Sequence, residues 1–231
     1  MQPMRPILAL SGVATVCGAV VLAYHQVPDR ATPADVSAIH KILPETLVPP
    51  RSFGEEVALI LRIQDRVLAA SPEERGIPLN QPREIGDLLK ARYGACFDRS
   101  RAIETALRSY GFRTRHASMY STAETGSALL SLLTPDIWSH ALTEVKTARG
   151  WMVVDSKVRW IALTSDGRPL DLAAIREDPA RKWSAAARAP LPDIYGVPYT
   201  WVYGLYSRHG RFYPPYDAIP DVNWKELAQN L

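Results

Sequence analysis

The chain has 231 residues, two cysteines, and 27 lysines and arginines against 24 aspartates and glutamates, a formal charge of +3. This is enough chain for one domain of ordinary size whose core needs no disulfide staples. The composition excludes a disordered or fibrous protein, and the small charge without a basic run argues against nucleic acid as a partner.

Ile7 to Tyr24 is an uncharged apolar run of about eighteen residues, preceded by Arg5 and followed by Asp29 and Arg30. It reads as a secretory signal, with Val21-Leu22-Ala23 offering a cleavage site, or as a membrane anchor that keeps Arg5 on the cytoplasmic side. Residues 1–27 are assigned to this leader. The rest of the chain is expected outside the cytoplasm, anchored in the inner membrane facing the periplasm or released there if the leader is cleaved. Cys17 lies in the leader and cannot sensibly pair with Cys96, so no disulfide is expected. A lone reduced thiol in an oxidising compartment is a liability unless it is used.

Residues 28–51, rich in proline and alanine, read as a spacer with one short helix around Ile39 and Ile42. Ser52 and Glu55 suggest a capping box, and Val57, Ile60, Leu61, Val67 and Leu68 supply the stripe of a helix to about Ala70. A proline-rich loop follows to Pro82, then a short helix from Arg83 through Leu89.

Arg92-Tyr93-Gly94-Ala95-Cys96-Phe97-Asp98 is the stretch around which the chain is organised. Cys96 follows a glycine turn and opens a helix marked by Ser100, Ile103, Leu107 and Tyr110, with Gly111 as its stop. The positive end of the helix dipole and unpaired N–H groups favour a thiolate there. Position alone leaves a bland alternative, a small buried apolar residue.

After Gly111 the period becomes two, and residues 112–120 read as a strand. Residues 121–139 form a long connection with an apolar patch at Leu129 to Leu133, of a length that often serves as a wall or lid. Residues 140–147 and 151–160 read as two strands. A four-residue turn at Lys146 to Arg149 would pair Val145 with Gly150 and set His140 opposite Asp155, with Cβ atoms roughly 4.5–5.5 Å apart. A short helix is expected near Leu172. The tail, residues 171–231, is aromatic and proline-rich and is expected to pack on the core.

Cysteine, histidine and aspartate suggest nucleophile, base and orienting carboxylate: Cys96, His140 and Asp155. The Cys96 N–H and one further donor would hold an oxyanion, with Gln81 and Tyr93 as candidates. His116 is an alternative base but lacks an obvious carboxylate partner. Glu144 shares a strand face with His140 and reads as solvated or ion-paired. The five histidines are scattered without ligand spacing, so no metal is expected, nor any cofactor.

Gly94-Ala95-Cys96-Phe97-Asp98, the run Leu107 to Arg115, His140-Ala141-Leu142-Thr143-Glu144-Val145 and Gly150-Trp151-Met152-Val153-Val154-Asp155 together resemble the core of the transglutaminase-like superfamily. The resemblance covers roughly residues 83–160. It implies an α+β, papain-like fold over about residues 52–170, with Cys96, His140 and Asp155 as catalytic triad. Leu142 stands where the family often has tryptophan and Ser156 where it often has proline. The Cys-to-His interval is long, as if residues 121–139 were an insertion. The implied activity is attack on a peptide or glutamine-type amide of the cell envelope through an acyl-thioester, resolved by water or by an amine. The alternative is a catalytically silent binding or assembly module that uses the aromatic tail as its contact surface.

Overall fold

A computed structural model describes residues 18–43, 49–79, 81–179, 181–187, 189–217 and 219–231. Most of the leader therefore lies outside the described residues. Residues 18–25 are helical, and among the described residues no helix is long and apolar enough to cross a membrane.

Helix α1 spans Pro33–Ile42, α2 Phe53–Ala70, α3 Ile85–Ala91 and α4 Cys96–Ser109. Then come β1 (Arg113–Ser121), α5 (Ala128–Leu133), β2 (Ser139–Thr147), β3 (Gly150–Val154) and α6 (Leu172–Glu177). The chain ends with β4 (Tyr199–Tyr203), β5 (Leu205–Tyr206), β6 (Asp221–Val222) and α7 (Trp224–Leu227). Strands β3-β2-β1-β4 form an antiparallel sheet in that order, and β5 pairs with β6 apart from it. Helices beside an antiparallel sheet make the fold α+β, as expected.

Successive residues of a strand face opposite sides, so the sheet buries both faces. Val145, Met152 and Val154 join Ile60, Ile63, Val67, Ile103 and Leu107 of α2 and α4 in one core. Leu142, Val153, Ala117 and Met119 join Trp160, Leu172, Tyr195 and Tyr199 in a second core on the other face. The tail thus does more than pack on a finished domain: it covers one face and contributes β4 as an edge strand paired with β1.

Three local expectations are corrected. The short helix expected around Ile39 and Ile42 forms as α1, but residues 33–43 are more than a spacer. Thr32 caps α1 through the Asp35 N–H, and Ala38, Ile39 and Leu43 are buried in the first core. Ser52 Oγ does cap α2, accepting from Glu55 N–H, but the Glu55 carboxylate accepts from Arg51 N–H (2.6 Å) rather than completing a capping box. The β2–β3 turn takes two residues, Ala148 and Arg149, with Thr147 opposite Gly150 and Thr143 opposite Val154. His140 is therefore not opposite Asp155, and β3 stops at Val154 instead of running on to Trp160. A slip of two residues, unlike a slip of one, leaves side-chain faces unchanged.

Candidate active site

Cys96 is the first residue of α4, after Ala95 in extended conformation. The helix start is fixed by Asp98, whose Oδ2 accepts the N–H of Ala95 (3.0 Å) and of Ile77 (3.2 Å), tying the preceding loop to the helix. Gly94 is needed for space: a Cβ there would overlap Leu88 and press on Asp98. The helix is registered against β2 by Thr143, whose Oγ1 donates to the Ser100 carbonyl (3.1 Å) and lies 3.0 Å from Ser100 Oγ. These contacts fix the thiol relative to the start of the strand that carries His140.

His140 Nε2 is 2.8 Å from Asp155 Oδ2. That leaves Nδ1 as the ring nitrogen available to Cys96, which lines the same cleft and adds to the pull on the imidazole. Burial works against a charged imidazole, but the Asp155 charge and hydrogen bond, with Cys96 adding, raise His140 to about 10. The same pair acts oppositely on the carboxyl, where burial pushes upward and the imidazolium overrides it, holding Asp155 below its ordinary value.

Asp155 is fully buried and saturated with donors. Its Oδ1 accepts the N–H groups of Lys157 (2.7 Å) and Val158 (2.8 Å), and its Oδ2 accepts both His140 and the Tyr195 hydroxyl (2.8 Å). Burial, then the Asp155 charge, push the Tyr195 phenol well above its ordinary value, so it stays a donor. The loop after β3 is pinned from α2, where Gln64 Nε2 reaches the carbonyls of Asp155 (2.8 Å), Val158 (3.1 Å) and Trp160 (2.8 Å). Ser156 Oγ donates to the Ala141 carbonyl (2.5 Å), linking that loop to the strand beside His140.

The triad opens into a cleft of about 310 Å³. Trp138, Leu191 and Ile194 give it apolar walls, and Glu74, Lys157 and Asp193 add charge. A larger hollow of about 730 Å³ beside β4 and the C-terminal helices contains none of the triad. Trp138 closes the long 121–139 connection, which thus forms part of the cleft wall as expected, whereas Leu129, Leu130 and Leu133 of α5 face solvent.

Neither oxyanion candidate lines this cleft. Gln81 sits exposed on the loop before α3, and the Tyr93 ring stacks under the Arg75 guanidinium at 4.0 Å. His116 does have a carboxylate partner, Glu104 Oε2 at 3.4 Å, and it stacks on Tyr206 within the interior. Glu144 is buried and ion-paired with Arg115, and it accepts the Leu172 N–H (2.8 Å), so it does not compete with Asp155. Tyr195 and Gln64 escaped the sequence reading. Only Tyr195 left a trace there, as one aromatic among many in the tail.

Residues 57–156 match the family model described as the transglutaminase-like superfamily. No curated protein matches the chain significantly. Among solved structures, arylamine N-acetyltransferase from Salmonella typhimurium is similar at 20% identity and a TM-score of 0.35, over 54% of this chain and 45% of that one. The match spans less than half of that enzyme's length.

Proposed function

We propose that the chain is a cysteine acyl-transfer enzyme that attacks amides of peptides or proteins through Cys96, a reading supported by the match of residues 57–156 to the transglutaminase-like superfamily. The observation that carries this reading is the convergence of Cys96, His140 and Asp155 on one cleft, with His140 bonded to a carboxylate held by four donors. A structural cysteine needs no such neighbours.

In the proposed reaction His140 Nδ1 takes the thiol proton, and the raised basicity of the ring keeps that proton in place. The sulfur adds to the amide carbonyl, and the Cys96 N–H, at the unpaired end of α4, faces the developing oxyanion. Collapse breaks the C–N bond as His140 returns the proton to the leaving amine. The acyl-thioester then passes to water, giving hydrolysis, or to an amine, giving a crosslink. Asp155 keeps its proton count throughout and orients the ring. The apolar walls at Trp138 and Leu191 favour an apolar or flat group next to the scissile bond. The apolar run Ile7 to Tyr24 supports a substrate in the cell envelope, reached by an exported and tethered enzyme.

The test is acylation by p-nitrophenyl acetate, followed by intact mass. The parent should release a burst of p-nitrophenol and carry one acetyl group on Cys96, discharged faster when an amine is added. Cys96→Ser should show no burst. A parent that gives no burst while folded sinks the enzymatic reading and leaves the silent module.

A further inference from the structure

Away from the triad, His25 from near the start of the chain meets His209 and Asp221 from near its end. Asp221 of β6 is buried, and its Oδ2 accepts the N–H groups of Arg208 (2.8 Å), His209 (2.5 Å) and Gly210 (3.3 Å). That end of the carboxylate is spent. The other oxygen, Oδ1, faces two imidazoles, His209 Nδ1 at 2.7 Å and His25 Nδ1 at 3.1 Å. The two rings cross at 78° with centroids 5.4 Å apart, and both bring Nδ1 to the same carboxylate oxygen. The three candidate ligand atoms lie within 4.8 Å of one another.

The geometry points to a site for a divalent cation of the zinc type, bound by His25 Nδ1, His209 Nδ1 and Asp221 Oδ1, beyond and independent of the Cys96 chemistry. Neutralising one buried carboxylate takes one imidazole; a second, brought by a segment from the other end of the chain, makes a ligand set. Ligands around tetrahedral zinc sit about 3.4 Å apart at bond lengths near 2.1 Å, so the two imidazole–carboxylate contacts, at 2.7 and 3.1 Å, need to open by less than about 1 Å. The surroundings supply the outer contacts that orient metal ligands. Three backbone N–H groups aim the carboxylate, and Tyr24 stacks on His209 at 3.9 Å. The segment holding His209 is braced by Arg83, which donates to Ser207 Oγ (2.8 Å), and by the Arg208–Glu84 pair (2.6 Å). Both imidazoles are partly open to solvent, which leaves the remaining coordination to water.

The donor chemistry selects the metal class. Two imidazoles and one carboxylate suit zinc and its first-row neighbours, whereas calcium and magnesium favour all-oxygen sets and copper(I) favours sulfur. The bound ion would clamp the segment just after the apolar run onto β6, where Val27 N–H already donates to the Val222 carbonyl at 2.9 Å. His25, His209 and Asp221 have no ligand spacing along the chain, so the set is visible only once the chain is folded.

The test uses the full chain carrying Cys96→Ser, so that the thiol and His140 cannot take the ion. The chelator-stripped protein is dialysed against micromolar Zn2+ and its metal content measured, with Mg2+ as the control. One zinc per chain, no retained magnesium and a zinc-dependent rise in unfolding temperature are expected. His25→Ala and His209→Ala, added singly, should each lose the zinc and the temperature rise. The metal-free unfolding transition of each variant reports whether it folds. His25→Ala, at the periphery, decides the matter if His209→Ala does not fold. Failure of Cys96→Ser to retain zinc, or retention in the folded His25→Ala protein, overturns the proposal. Either result leaves the Cys96 reading intact, since that reading is assayed on the unsubstituted chain without metal.

Discussion

Tyr195 donates its hydroxyl to Oδ2 of Asp155 at 2.8 Å, the same oxygen that takes His140. A residue of the tail thereby sets the position of the triad carboxylate. Its ring is held by stacking on Trp160 at 5.0 Å, inside the second core.

Replacing Tyr195 with Phe deletes one of four donors and keeps the ring. Loss of a hydrogen bond to a charged group costs about 1.5 kcal/mol at the low end, the appropriate end because three donors remain. Turnover of p-nitrophenyl acetate should fall by up to about tenfold. Asp155→Asn, which removes the charge from a buried pair, should cost far more. Equal losses in the two variants would mean that Tyr195 does more than hold Asp155.

The placement of His140 beside Cys96 predicts the reactivity of the thiol. At neutral pH, iodoacetamide should modify Cys96 several-fold faster in the parent than in His140→Ala. Equal rates would show that the imidazole does not activate the sulfur.

The same pair makes stability depend on pH with a definite sign. His140 is raised to about 10, against roughly 6.5 in the unfolded chain. Its contribution is therefore complete below pH ~6.5 and is lost as pH rises toward 10. Asp155 is lowered, so its contribution is present above the unfolded carboxyl value of ~3.9 and lost as pH falls further. Urea unfolding of parent and His140→Gln should thus differ most between about pH 4 and 6.5 and converge toward pH 10. A difference that widens with rising pH would contradict the assignment.

Gly94→Ala places a methyl against Leu88 and Asp98. Overpacking of this kind costs about 1–3 kcal/mol. Because Asp98 caps the start of α4, part of that strain should move Cys96. A lower urea midpoint together with slower acylation is expected; unchanged acylation would show that the strain relaxes through Leu88 alone.

The three candidate site residues were legible because each lies in a short run with its own local signal. A glycine turn opens a helix on a thiol, a strand starts beside a histidine, and a Gly-Trp strand leads into an aspartate. The register differs from the expected one by two residues, because a two-residue and a four-residue turn fit the same alternation, and the facing of each side chain is the same in both. What stayed hidden depends on long-range contact. Ile39 is buried by helices that follow it in sequence, Tyr195 is one tyrosine among ten until the second core forms, and His25 meets Asp221 only when the chain's ends come together. The short helix around Ile39 and Ile42 was legible, whereas its burial in the first core was not, because the helices that cover it come later in the chain.

Gln64 gives the sharpest separation of scaffold from chemistry. Its amide is buried in α2 and touches three carbonyls of the loop that follows β3. Gln64→Leu keeps the volume and removes the donor. The carbonyl of Val158 still accepts from Trp160 N–H and that of Trp160 from Asp155 N–H, so the Asp155 carbonyl is the one that loses its described partner. One buried acceptor left unpaired costs about 1–3 kcal/mol. The loop should loosen where it presents the Lys157 and Val158 N–H groups to the carboxylate. Hydrogen exchange at those two amides should accelerate, and acylation should slow more than the loss of global stability alone accounts for. If exchange there matches the parent while the urea midpoint falls, Gln64 serves the core only, and Asp155 is held by its own loop and Tyr195.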